Sequence, residues 1–69
     1  MANKEFLLFN DTIINKDEIV HIKKVKYTRG CLNLGIRLTT RSSEYHEEWF
    51  NDDQKKRDDR FKSLVTILC

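Results

Sequence analysis

The segment EYHEEWF, residues 44–50, carries the densest group of chemically versatile side chains in the sequence. In a strand, Glu44, His46 and Glu48 would share one face, and successive members would stand about 6.5–7 Å apart. A metal ion needs its ligand atoms within about 2 Å, so a straight strand does not bring adjacent ligands together. The chain also lacks the CxxC, HExxH and zinc-finger spacings. We therefore predict no metal site and no cofactor.

Nucleophilic or acid–base catalysis would need Cys31, His21 or His46 to meet a partner group. Their spacing in the sequence does not place any of them together. A chain of 69 residues also has little volume for a buried pocket. The sequence therefore predicts a protein that is not an enzyme.

The segment KKVKYTR, residues 23–29, supplies a basic stretch with one aromatic residue. In a strand, Lys24 and Lys26 share one face, and Lys23 lies with Val25 and Tyr27 on the other. A basic sheet face with aromatic side chains can bind a single nucleic-acid strand through phosphate contacts and base stacking. The same lysines could equally protect a sheet edge from aggregation. The nucleic-acid alternative would use Lys23, Lys24, Lys26, Tyr27, Arg29, Arg37 and Arg41.

Binding to another protein is the leading prediction, because tryptophan, tyrosine and arginine are the residues that most often anchor interfaces. A basic partner could contact the acidic side chains of residues 44–50 and the start of the following helix. An acidic partner could instead contact Lys23, Lys24, Lys26 and Arg29. The predicted partner-binding residues are Glu44, Tyr45, Glu47, Glu48 and Trp49.

The pattern of apolar residues predicts an α+β fold, with a small antiparallel sheet and one C-terminal helix packed on one face. Asn10-Asp11 suits a tight hairpin turn, and Asn15 followed by Glu18 suits one capped helical turn. The imperfect alternation of residues 18–27 predicts either a bulge or burial on both faces near Ile22. Strands are predicted at residues 5–9, 12–14, 18–27, 31–40 and 43–50, and a helix at residues 52–68.

Residues 44–50 could form a helix or a strand, because their aromatic residues fit either spacing. The helix-start signal at Asn51 favours a strand before it. We expect this strand to place its aromatic side chains in the core and its acids in water. The predicted apolar face of the helix consists of Phe61, Leu64, Val65 and Leu68.

Composition indicates a single small domain with a formal net charge of +2. The longest apolar run near the N-terminus is four residues, which predicts neither a secretory signal nor a membrane span. We therefore expect a cytoplasmic protein with reduced thiols, in which Cys31 is a small strand residue and Cys69 a terminal thiol. The thin core predicts a homodimer. Size and composition are typical of small bacterial or phage accessory and inhibitor proteins that act by binding another protein.

Overall fold

The computed structural model describes residues 6–68, which form five strands, one turn of 3-10 helix and one α-helix. The predicted α+β class is confirmed, with the C-terminal helix packed on the sheet. Residue 5, the predicted start of the first strand, and Cys69 lie outside the described residues. The strands are β1 (Phe6–Phe9), β2 (Thr12–Asn15), β3 (Ile19–Tyr27), β4 (Asn33–Thr40) and β5 (Tyr45–Trp49), and the helix is α1 (Gln54–Leu68).

The strands form two antiparallel sheets, whereas the sequence predicted one. β1 and β2 make a two-stranded hairpin, and β3, β4 and β5 make a three-stranded meander in that order. The 3-10 turn Lys16–Glu18 separates the two sheets, and the Asn15 side chain caps it by accepting a hydrogen bond from the Asp17 amide at 2.9 Å. The hairpin therefore leaves the plane of the meander and packs against its core.

Local backbone signals in the sequence are confirmed where they are most specific. Asn10 and Asp11 have φ angles of 50° and 61°, as the left-handed residues of a tight hairpin turn require. The predicted bulge occurs between Ile19 and His21, where the β3–β4 register shifts. This extra residue lets both Ile19 and Ile22 pack against the core.

The core lies between the meander, the hairpin and the helix. β4 supplies its centre, because Ile36 and Leu38 are fully buried. The hairpin and helix complete a cluster whose buried members are Leu7, Phe9, Ile14, Ile36, Leu38 and Leu64. The predicted apolar face of the helix is only partly used, because Leu64 is buried and Phe61 packs on the cluster while Val65 remains exposed.

The helix begins later than predicted, at Gln54 rather than residue 52. Asp53 acts as its N-cap, since its carboxylate accepts a hydrogen bond from the Lys56 amide at 3.0 Å. Asn51 has a φ angle of 56° and turns the chain between β5 and the helix. Within residues 6–68, no helix has the length and apolar character needed to cross a membrane.

A hydrogen-bonded network around Glu48 joins β5, the helix and the hairpin. The Arg60 guanidinium donates to both Glu48 carboxylate oxygens, at 2.9 and 3.2 Å. The same guanidinium donates to the Leu8 carbonyl at 2.9 Å, and the Asn10 amide donates to Glu48 at 2.9 Å. We call these four residues the Glu48 network.

Replacement of Glu48 by glutamine should destabilise the fold. Hydrogen bonds to charged groups contribute about 1.5–3 kcal/mol each, so we expect Glu48→Gln to lower the free energy of unfolding by about 1–3 kcal/mol. The exposed Glu44, on the same segment, provides the control, and Glu44→Gln should change it by less than about 0.5 kcal/mol. Urea unfolding followed by circular dichroism measures both, and equal effects would contradict a stabilising role of the network.

Candidate functional site

The helix and hairpin cover one face of the meander and leave the other uncovered. The covered face carries Ile36 and Leu38, so residues of the opposite parity along β4 and its neighbours occupy the uncovered face. We call this surface the open face. It is formed by His21, Lys23, Val25 and Tyr27 of β3, Asn33, Gly35, Arg37 and Thr39 of β4, and Tyr45, Glu47 and Trp49 of β5.

The strand predicted at residues 43–50 is present as Tyr45–Trp49, but the expected placement of its aromatic residues in the core is wrong. Tyr45 is 60% exposed and Trp49 is 39% exposed. Glu48 pairs with Ile36 in the β4–β5 register, which fixes the even-numbered residues of β5 on the covered face. Only Phe50, just beyond the strand, packs against the core.

Trp49 lies against the backbone of Gly35. A Cβ atom at position 35 would stand 2.5 Å from Cε3 of Trp49 and 2.6 Å from the Glu48 carbonyl oxygen. Tyr27 contacts the indole edge-to-face, with ring centroids 6.0 Å apart and an angle of 62° between the planes. The absence of a side chain at Gly35 therefore lets the indole lie close to the sheet, where Tyr27 holds its position.

Arg37 occupies the neighbouring part of the open face and has no free charge. Its Nη2 atom is 2.6 Å from a Glu47 carboxylate oxygen, and its Nε donates to the same oxygen at 2.8 Å. Its guanidinium also lies over the Tyr45 ring, 4.8 Å from the centroid. These contacts hold Arg37, Glu47 and Tyr45 in one arrangement beside Trp49.

The structure separates the basic residues that the sequence grouped together. Lys24 lies on the covered face, where its Nζ is 3.3 Å from an Asp58 oxygen and 5.2 Å from the Phe61 ring centroid. A hydrogen bond from Arg57, aided by Lys24, holds the pKa of Asp58 below its ordinary value. Lys26 shares the face of Lys24, as predicted, and this is the covered face, while Lys23 and Tyr27 lie on the open face.

The remaining predicted site residues are dispersed. Arg29 lies in the β3–β4 turn and Arg41 in the β4–β5 turn, at opposite ends of the meander. Glu44 is exposed ahead of β5, Glu47 is paired on the open face, and Glu48 belongs to the network on the covered face. The acids of residues 44–50 therefore do not form one surface.

The residues considered for catalysis are also apart. The expected strand position of Cys31 is wrong, because it is exposed in the turn before β4. His21 and His46 lie on opposite faces of the meander. Over residues 6–68, no group of three histidine, cysteine or acidic side chains is placed to hold a metal ion.

The open face forms a shallow concavity of about 680 Å³. Three aromatic rings and one arginine from three different strands line it, together with Glu47 and the lysines Lys23, Lys24 and Lys26 of β3. This arrangement presents flat apolar surfaces and hydrogen-bonding groups, which suits binding. Gly35 is the one residue without a side chain among the residues that alternate with Leu32, Leu34, Ile36 and Leu38, and it was the one signal in the sequence that could have revealed the position of Trp49.

Replacement of Gly35 by alanine should displace Trp49 and destabilise the sheet. Overpacking costs about 1–3 kcal/mol, and here a backbone oxygen also blocks the new methyl group. Since Trp49 is the single tryptophan of the chain, its fluorescence emission reports the displacement directly.

Gly30→Ala is the control, because position 30 has a φ of 78° but no atom within 4 Å of a Cβ placed there. It should cost about 1–2 kcal/mol through backbone strain and leave the emission maximum unchanged. An unchanged emission maximum in Gly35→Ala would contradict the packing described above.

No protein-family model, curated protein sequence or solved structure matches this chain. The function has to be inferred from the geometry and chemistry of the open face.

Proposed function

We propose that this chain is a small non-enzymatic intracellular module that binds a partner protein through its open face. One observation carries the proposal: Tyr27, Tyr45 and Trp49 are brought together on a face that neither the helix nor the hairpin covers. Large aromatic residues exposed side by side are costly in water and mark interaction surfaces.

The composition of the open face supports a protein partner. Tyrosine, tryptophan and arginine are the side chains that carry most binding energy at protein interfaces. Here they are already held in place, by Gly35 beneath Trp49 and by Glu47 beside Arg37, so little side-chain entropy is lost on binding. Asn33 and Thr39 supply a polar rim around the aromatic centre. A module of this size that acts through one face fits a bacterial or phage accessory or inhibitor protein.

A single-stranded nucleic acid is the second candidate for the open face. The observation that favours it is that Lys23 lies on the same strand face as Tyr27 and lines the same concavity. Tyr27 in turn contacts the indole of Trp49. Bases could stack on the rings while the lysine contacts a phosphate. Against it, Arg37 is paired with Glu47 and Lys24 with Asp58, so two of the cations that line the concavity already have an ion-pair partner.

Capture of partners from a lysate of the source organism tests both candidates. We expect a protein partner that survives nuclease treatment and whose capture falls at least about tenfold in a Tyr27→Ala/Tyr45→Ala variant, because each ring should contribute more than about 1 kcal/mol. Val65→Ala, an exposed apolar change on the helix, is the matched control and should retain capture.

Two results would count against the protein-binding proposal. Undiminished capture by the double tyrosine variant would remove the open face from the interaction. Loss of the captured material on nuclease treatment would favour the nucleic-acid candidate, whose affinity should then fall steeply between about 50 and 200 mM salt.

We also propose that the protein self-associates through the outer face of the hairpin. Phe6, Leu8 and Ile13 point away from the core and are each more than half exposed, while Leu7 and Ile14 are buried on the inner face. Leu8 and Ile13 are directly paired across the hairpin, so the outer face is continuous and apolar. A second copy that covers it would compensate for the small core of each chain.

Introducing a charge on the hairpin should abolish self-association. We expect sedimentation velocity to show a dimer for the natural chain and a monomer for Leu8→Lys, because a charge at the centre of an apolar interface cannot be solvated. Val65→Lys, at an exposed helix position, should remain dimeric. A natural chain that sediments as a monomer would contradict this proposal.

A further inference from the structure

Strand β3 is an edge of the meander over its whole length of nine residues. In the described part of the chain, it pairs with β4 and with no other strand. The bulge at Val20 disrupts its beginning, but Ile22–Tyr27 is regular, since its register against β4 is continuous. Six residues of regular strand therefore present one unpaired side.

The hydrogen bonds of β4 show which groups of β3 point outward. Thr40 donates to the Glu44 carbonyl at 2.8 Å, and Leu34 accepts from the Phe50 amide at 2.8 Å, so even-numbered residues of β4 bond toward β5. Its odd-numbered residues must then bond toward β3. Their partners on β3 are also odd-numbered, which leaves the amides and carbonyls of Ile22, Lys24 and Lys26 directed at the free edge.

Charge disfavours pairing of the regular segment Ile22–Tyr27 with the same segment of a second copy. An antiparallel pair of β3 strands centred on Lys23 or on Lys24 places that lysine opposite its symmetry mate. A pair centred on Val25 places Lys24 opposite Lys26. Like charges directly opposite one another destabilise a sheet, so these registers are unfavourable.

A strand with acidic side chains would be attracted to this edge, because its acids could lie opposite the lysines. Lys24 is held by Asp58 and the Phe61 ring, whereas Lys23 and Lys26 are exposed and have no ion pair among residues 6–68. Lys23 projects on the open face and Lys26 on the covered face. A strand added to β3 would present acids to both lysines if the two acids were three positions apart.

The rings of Tyr27 and Trp49 determine which side chain suits the position between the two acids of the added strand. The residue of the added strand that faces Val25 would project on the open face, beside Tyr27 and the concavity that Trp49 lines. An apolar side chain at that position would extend over these rings. For a strand added antiparallel to β3, the resulting pattern from N- to C-terminus is acid–apolar–any–acid in extended conformation.

We propose that the β3 edge takes an extended acidic segment of the partner protein as a fourth strand, with acids on Lys23 and Lys26 and an apolar residue against the aromatic rings. This inference rests on the proposed function, because it names the segment that a partner of the open face would present. Backbone hydrogen bonds supply affinity in such strand addition, and the side-chain contacts supply specificity.

Titration of isotopically labelled protein with two synthetic peptides tests the inference by NMR. The probe is acetyl-Thr-Thr-Glu-Val-Thr-Glu-Thr-Thr-amide, and its matched control has lysine in place of both glutamates. We expect the glutamate peptide to shift and protect the outward amides of Ile22, Lys24 and Lys26 more than those of Lys23 and Val25. The lysine peptide should bind at least about tenfold more weakly.

A charge-reversed variant makes the test independent of the particular peptide. Lys23→Glu/Lys26→Glu changes two exposed side chains, so we expect it to fold, and the dispersion of its NMR spectrum checks this. It should prefer the lysine peptide over the glutamate peptide. The absence of such a reversal would overturn the inference, as would a glutamate peptide that leaves the outward amides unshifted.

Two further results separate this inference from the proposed function. If Lys23→Glu/Lys26→Glu captures the partner as well as the natural chain, while Tyr27→Ala/Tyr45→Ala does not, the edge is excluded and the open face stands. If oligothymidylate shifts the outward amides and the glutamate peptide does not, the edge binds a nucleic-acid strand and the inference is overturned.

Discussion

The carboxylate of Glu48 determines how the last strand faces the rest of the molecule. It accepts hydrogen bonds from Arg60 of the helix and from the amide of Asn10 in the hairpin, so it must lie on the covered side of the meander. Because side chains alternate along a strand, its neighbours Glu47 and Trp49 are then forced onto the opposite side. The β4–β5 register thus has two results. It places Glu48 in the network that joins the three elements, and it places the aromatic residues on the open face.

The positions of the strands and the helix were predicted from the sequence more accurately than the side of the sheet on which each side chain lies. Asn10-Asp11, the uneven pattern around Ile22 and the acidic start of the helix each correspond to a specific backbone requirement, and the structure contains all three. The face of β5 had no such signal. Tyr45 and Trp49 alternate with His46 and Phe50, so both faces contain aromatic residues. The deciding interaction involves Arg60, which lies in another element and could not be assigned from local pattern.

Charge is also distributed differently from what composition suggests. Arg37 is paired with Glu47, Lys24 with Asp58 and Arg60 with Glu48, and each pair joins residues that are distant in the sequence. These pairs hold neighbouring strands together or attach the helix to the sheet. The basic segment around residue 24 therefore contributes partly to folding and partly to the surface. No count of charges along the chain could have separated these two roles, because the separation depends on which face each lysine occupies.

The position of the Trp49 indole depends on the absence of a side chain at Gly35. The indole occupies the volume that any side chain at position 35 would fill. Sterically, an indole at position 49 therefore requires a glycine at position 35. In related sequences, a retained tryptophan at position 49 should be accompanied by a retained glycine at position 35.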